Sequence, residues 1–277
     1  MIKKVRDMQG KCSFILLHFV RVNKKDIINV TNRTGRIAMN LFIVSDIHGM
    51  YKQFEEIIKY WDRESLLVIL GDMIDRGEYS YEVVQRIMEL QKQYPDKVVV
   101  MKGNHEDMLM YYVDGHMKDP TPFLVNGGLE MLRSFIKDLD EEAVEQNAVI
   151  LKTQFAAEIE FLRNARHYYQ YGSLLITHAG FDSLLEDWQE TSPQDFLWIR
   201  NHYKEENKTG LINIFGHTPV RNMHEIDDIW ISPGGKYIGI DGGCAYGGQL
   251  NALFISEQGE IIDMFVVCSD RKMESKE

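Results

Sequence analysis

Gly71-Asp72-Met73-Ile74-Asp75-Arg76-Gly77 follows an unbroken apolar run, Leu66-Leu67-Val68-Ile69-Leu70. Five apolar residues closed by a glycine read as a strand buried on both faces. The run stops abruptly on two aspartates and an arginine. The carboxyl end of a buried strand is where open α/β sheets place their chemistry. Alone, an aspartate there is as well explained by a turn or a helix cap. Its weight comes from four further polar clusters, most of them also directly after apolar runs.

Upstream, residues 41–44 form the first buried strand and end in Ser45-Asp46-Ile47-His48-Gly49. Phe54, Ile57, Ile58 and Trp61 then recur at helical spacing over residues 50–61. Downstream, residues 79–94 form a second helix, with Val83, Val84, Ile87 and Leu90 on one face and Pro95 at its end. Residues 98–101 are a third strand, ending in Gly103-Asn104-His105-Glu106. Alternating strands and helices imply a parallel sheet with right-handed crossovers.

Residues 106–114 look helical, 115–128 form a loop, and 129–163 are mostly helix with a solvated, charged face. The stretch of about 115–165 is thus expected to be a helical insertion, capping the edge of the sheet. From Tyr168 the pattern changes to short strands. Residues 174–177 end in His178-Ala179-Gly180, and 212–215 end in Gly216-His217-Thr218-Pro219. Between them, 193–203 are short and helical and carry Trp198-Ile199-Arg200. Strand-like pieces at 229–232, 237–240, 250–255 and 261–267, without intervening helices, suggest a second, mixed or antiparallel sheet. No repeat or flexible linker interrupts residues 39–277, which read as one domain. Residues 1–38 are basic and without periodicity. They are expected to be an N-terminal extension, disordered or arising from an upstream start codon.

The 277 residues are 44% hydrophobic, enough for a sizeable core. A net charge of −11 does not suit a protein that coats nucleic-acid polymers or anionic membranes. No apolar stretch approaches the ~20 residues of a membrane span. Cys12, Cys244 and Cys268 are odd in number and widely spaced, which suggests neither a disulfide framework nor a thiolate zinc site. A reducing, cytoplasmic location is the expectation.

The strand ends supply Asp46, His48, Asp72, Asn104, His178 and His217. Singly, these would be core histidines, caps and turn residues. Together they are oxygen and imidazole donors without thiolate, a set suited to Mn²⁺, Fe²⁺, Zn²⁺ or Mg²⁺. Six donors exceed the needs of one tetrahedral ion. Two ions sharing one carboxylate would use them all, with Asp72, central in the order, as the natural bridge. Such a pair can clamp the entering and leaving oxygens of a phosphoryl group and supply hydroxide at neutral pH.

These clusters resemble the calcineurin-like metallophosphoesterase superfamily, of the phosphoprotein phosphatase type. Its pattern G-D-x-H-G, G-D-x-x-D-R-G, G-N-H-E, H-A-G and G-H-T appears here in order, with Ser45 in place of the first glycine. Asn126-Gly127-Gly128 and Leu197-Trp198-Ile199-Arg200 resemble the small bacterial and phage serine/threonine phosphatases. The resemblance implies an α/β fold, a β-sandwich of two mixed sheets flanked by helices. It implies two divalent ions, most readily Mn²⁺, the first held by Asp46, His48 and Asp72, the second by Asp72, Asn104, His178 and His217. His105 would be the general acid, oriented by Asp75, and Arg76 and Arg200 would grip the phosphate. Glu106 would partner the helix start, and Tyr246 would line the mouth. Hydroxide held between the ions would attack directly, without a phosphoenzyme. The implied activity is a phosphomonoesterase acting on phosphoserine or phosphothreonine in proteins. The alternative is a symmetrical bis(5'-nucleosyl)-tetraphosphatase acting on a small phosphate ester. A binding module that keeps the fold without catalysis should have lost a ligand, and none is missing.

Overall fold

The computed structural model describes residues 2–6, 12–16 and 39–272, so the expectation for 1–38 falls largely outside the described residues. It begins with an antiparallel pair, β1 (Ile2–Arg6) and β2 (Cys12–Leu16). The domain proper starts at β3 (Leu41–Val44), followed by α1 (Tyr51–Ile57), β4 (Leu66–Ile69), α2 (Ser80–Gln93) and β5 (Val98–Val100). β3, β4 and β5 are parallel neighbours in register, as the alternation of elements requires.

Each of these strands is apolar on both sides because each side has a different cover. Phe42, Val44, Leu67 and Ile69 face the helices, while Leu41, Ile43, Leu66 and Val68 face a second sheet. The helical layer continues with α3 (Asn104–Val113), α4 (Thr121–Phe123), α5 (Leu129–Phe135), α6 (Val144–Gln154) and α7 (Ala156–Arg163). Phe123, Met131, Leu132, Phe135, Leu151, Ile159 and Leu162 join the same core as Ile87 and Leu109. The inserted helices therefore pack beside α2 and α3. The chain returns along the open edge of β5, where Arg166 exchanges backbone hydrogen bonds with Val100 and Lys102.

The second sheet has the order β6 (Tyr168–Tyr171), β7 (Leu174–Thr177), β8 (Ile212–Phe215), β10 (Tyr237–Gly239), β9 (Trp230–Ile231). It mixes parallel and antiparallel pairs. Leu174, Ile176, Ile214 and Ile238 meet the first sheet, and Leu175, Phe215 and Tyr237 turn outward beneath Phe196 of α8 (Pro193–Trp198).

The last two strands depart from the sequence reading. β11 (Gln249–Ile255) and β12 (Ile261–Cys268) do not extend the second sheet. β11 pairs antiparallel with β3, and β12 with β11, so the first sheet is also mixed. β3 has a free edge once β4 has paired, and β11 can fill it because it is apolar on both faces. Leu253 and Ile255 enter the inter-sheet core, while Leu250 and Ala252 enter the helical side. Cys268 at the end of β12 is disulfide-bonded, which the odd cysteine count did not suggest, and Cys244 is a buried free thiol.

Candidate metal centre and active site

Five strand ends, of β3, β4, β5, β7 and β8, converge on one point, and the backbone there is unusual. Asp46, His48, Asp72, Asp75, Arg76 and His217 all have positive φ, between 45° and 70°. Non-glycine residues avoid that region at a cost of roughly 1–2 kcal/mol each, and they persist in it where the surroundings over-determine them. The loops after β3 and β4 are indeed zipped together: His48 N donates to Asp72 O at 2.9 Å, Gly49 N to Met73 O at 2.9 Å, and Gly77 N to His48 O at 2.9 Å. The loops after β4 and β5 touch so closely that a Cβ on Gly71 would lie 2.5 Å from Gly103 N, and one on Gly103 would lie 2.1 Å from Asp72 Oδ1. This is why both motifs carry glycine at those positions.

Glu106, fully buried, fastens the same loops. Its carboxylate accepts the N–H groups of Gly103 (2.7 Å), Asp72 (2.9 Å), Met73 (2.8 Å) and Ile74 (3.4 Å). The bond to Gly103 is half of a capping box at the start of α3, the helix-start role expected for it.

Asp72 is surrounded by imidazoles. His48 Nε2 lies 3.4 Å from Oδ2, His178 Nε2 3.4 Å from Oδ1, and His105 Nε2 4.0 Å from Oδ2. His48 Nδ1 is 2.8 Å from the carbonyl of Ile74, and His178 Nδ1 is 2.9 Å from that of Leu70. A carbonyl only accepts, so these Nδ1 atoms carry the protons. In their neutral forms both rings then aim an Nε2 lone pair at a carboxylate. Such a set calls for positive charge at its centre, and the Nδ1-to-carbonyl bond is the usual support of a metal-binding histidine. Here Arg76 Nη1 contacts His48 Nε2. Burial opposes protonation of His178, but Asp72 and Asp46 push its pKa up to about 9. Burial also disfavours charge on Asp72, yet His178 and its neighbours hold that carboxyl well below its usual range.

The other members complete the ring. Asn104 Oδ1 lies 3.1 Å from His178 Nε2 and 2.7 Å from His217 Nδ1. Burial, then His178, drives His217 down to about 2, so its ring is neutral, and its buried Nε2 has no hydrogen-bond partner. Both oxygens of Asp46 accept from His217 N at 3.1 Å, and Ser45 Oγ donates to Asp46. Two triads bring their donor atoms within 4.8 Å: His48–Asp72–His105 and Asp72–His178–His217. Asp72 belongs to both. The orphaned His217 nitrogen and the facing lone pairs fit a pair of divalent ions sharing Asp72.

Residues 39–247 match the model of the calcineurin-like phosphoesterases. The chain belongs to the calcineurin-like phosphoesterase family. An asymmetrical bis(5'-nucleosyl)-tetraphosphatase, PrpE, of Anoxybacillus flavithermus is 27% identical over 238 residues, covering 76% of this chain and 88% of that protein. Serine/threonine-protein phosphatase 1 of Salmonella typhimurium is 28% identical over 221 residues, covering 76% and 89%. The fold also matches a protein serine/threonine phosphatase of Saccharomyces cerevisiae, with a TM-score of 0.54 at 12% identity over 86% of this chain and 82% of that one. A metallophosphoesterase of Sphaerobacter thermophilus gives a TM-score of 0.51 at 17% identity over 83% and 88%. This is a metal-dependent phosphoester hydrolase of two mixed sheets flanked by helices. No described helix is long and apolar enough to cross a membrane.

The remaining expected residues stand around this phosphoesterase centre. His105 Nδ1 is 2.6 Å from Asp75 Oδ2, both groups being buried. Arg76 is half-buried, with its guanidinium 4.9 Å above the ring of Tyr246. Arg200 is exposed and donates to Thr218 Oγ1 at 3.2 Å. Asp241 went unnoticed in the sequence. It is buried after β10, where burial raises its pKa to about 6, and its charge adds to the burial that holds Asp46 well above the usual carboxylate range. The signal was present, since Asp241 follows an apolar run just as Asp46 and Asp72 do.

Proposed function

We propose that this phosphoesterase cleaves dinucleoside polyphosphates, using Asp46, His48, Asp72, Asn104, His178 and His217 to hold two divalent ions, Mn²⁺ foremost. The observation that carries the substrate is a pair of exposed aromatic rings beside the metal centre. Trp198 is 36% exposed with its ring 6.2 Å from that of His217, and Tyr246 is 39% exposed beneath Arg76. Exposed rings next to cations suit nucleobases, which stack with ~1–3 kcal/mol each. The name of the Anoxybacillus relative supports the same choice.

Bound ions would supply Lewis acidity and a nucleophilic water at neutral pH. The side chains do the rest. Arg76 and Arg200 hold phosphate oxygens with planar, fork-like donors. His105 gives its Nε2 proton to the departing oxygen, while Asp75 keeps Nδ1–H engaged and the ring aimed. Phosphoserine or phosphothreonine in a protein is the second reading, favoured by the Salmonella relative.

Incubation with Mn²⁺ and either diadenosine tetraphosphate or a phosphoserine peptide separates the two. The expected result is rapid nucleotide cleavage and background peptide turnover, and the reverse result replaces the first reading with the second. Chromatography of the nucleotide products also gives the position of the cut. Mono- plus triphosphate is the asymmetrical outcome named for the relative, and two diphosphates the symmetrical one.

A further inference from the structure

Arg271 lies beyond the stretch that matches the family and 195 positions from Arg76, yet it reaches the mouth of the site. Its Nη2 donates to the carbonyl of Arg76 at 2.8 Å, and its Nη1 to the carbonyl of Ala245 at 3.2 Å. Arg76 sits at the end of the β4 loop, and Ala245 precedes Tyr246 in a short turn of helix, Cys244–Tyr246. One planar fork thus spans the two segments whose side chains stack on each other, the Arg76 guanidinium and the Tyr246 ring.

The grip matters because Arg76 is strained. Its φ is 66°, a conformation a side-chain-bearing residue keeps only under constraint. Arg76 N is held by Gly127 O at 3.2 Å, and its carbonyl by Arg271. With both peptide flanks fixed, the direction in which the side chain leaves the backbone is fixed too. Arg271 is itself anchored. Its N–H donates to Ser269 Oγ at 3.1 Å, Ser269 N donates to Gly248 O at 2.9 Å, and Gln53 Nε2 donates to Asp270 Oδ1 at 2.9 Å.

We infer that Arg271 is a positioning residue for phosphate binding, a staple that holds Arg76 and Tyr246 in the orientation that receives the substrate's phosphate. It touches neither substrate nor metal and acts through Arg76. The inference rests on the phosphate-binding role assigned to Arg76 above, and the test keeps the two apart.

Steady-state kinetics with p-nitrophenyl phosphate and inhibition by inorganic phosphate, on the Mn²⁺-loaded protein, read the effect. Arg271→Ala should raise KM and weaken phosphate inhibition by about tenfold, with kcat within about threefold of wild type. Arg271→Lys, able to reach one carbonyl, should recover part of the loss. Because both residues act on one interaction, Arg76→Ala/Arg271→Ala should bind phosphate no worse than Arg76→Ala alone, within about twofold. Should Arg271→Ala not fold, Arg271→Gln, which keeps an amide donor near the original volume, takes its place. An unchanged KM in Arg271→Ala beside a raised KM in Arg76→Ala overturns the staple and leaves the role of Arg76 standing. Losses that add in the double variant also overturn it. An unchanged KM in Arg76→Ala removes the phosphate-binding role, and the staple with it.

Discussion

An imidazole donates a proton to good effect only when its other nitrogen is held, and the 2.6 Å contact from His105 Nδ1 to Asp75 does that holding. Replacing His105 by Asn keeps a polar group of similar size but removes the proton. On an alkyl phosphate, whose leaving oxygen needs protonation, kcat should fall by about 10²–10⁴. On p-nitrophenyl phosphate, whose phenolate departs unaided, the loss should be far smaller. Equal losses on both substrates would show that His105 serves some other purpose. His202 makes a different prediction. It is buried, with Nε2 3.0 Å from Asn213 Oδ1 and Nδ1 without a partner, and burial drives its pKa from 6.5 down to about 4. Above 6.5 neither the folded nor the unfolded chain is protonated there. Between 6.5 and 4 only the unfolded chain takes the proton, so stability falls as pH falls, and below 4 the effect is complete. Between pH 7 and pH 5 this one group should remove about 2 kcal/mol. Urea titrations of wild type and His202→Gln at the two pH values check it, because the variant should lose that much less.

At the scale of elements, the site depends on three loops, after β3, β4 and β5, that are fastened to one another. Glu106 binds the start of α3 to the loop after β4 through four backbone N–H groups. Glu106→Gln leaves one acceptor oxygen and points an amide at N–H groups that can only donate. The cost should be about 3 kcal/mol in chemical denaturation. Metal affinity, read by titration, should drop about 10–100-fold, because Asp72 N is one of the groups released. A variant with wild-type stability would mean that the loops are held by something else. Much of this layer was legible in advance. The strands at 41–44, 174–177 and 212–215 fall where the sequence put them, since mostly apolar runs of four residues closed by polar and glycine clusters are too short for a helix. The partner of β11 was not legible. Its apolar pattern fits either sheet, and only the free edge of β3 decides between them. Arg271 was hidden for a related reason: it acts on backbone carbonyls, which leave no trace in residue type.

At the scale of the molecule, the candidate metal ligands come from both sheets. Asp46 and His48 follow β3, Asp72 follows β4 and Asn104 follows β5 in the first sheet, while His178 follows β7 and His217 follows β8 in the second. Asp46, Asp72, Asp75, Glu106 and Asp241 are all buried around them, in a chain whose net charge is already −11. Cations at that point would neutralise the carboxylates and also cross-link the two layers at their shared end. A ligand that binds only the folded state stabilises it by about 2.7 kcal/mol at a hundred times its Kd. For a chain of this size that corresponds to roughly 5–10 °C in Tm. Calorimetry with and without a chelator should show a drop of that order, reversed by added Mn²⁺. Hydrogen exchange should place the lost protection at the ends of β3, β7 and β8, with the distant edge strand β12 little changed. The Glu106 fastening does not use the ions and stays intact on chelation, so the first sheet should keep its β4–α3 junction while the two sheets loosen from each other. An unchanged Tm, or protection lost evenly across both sheets, would show that the layers are joined by their apolar core alone.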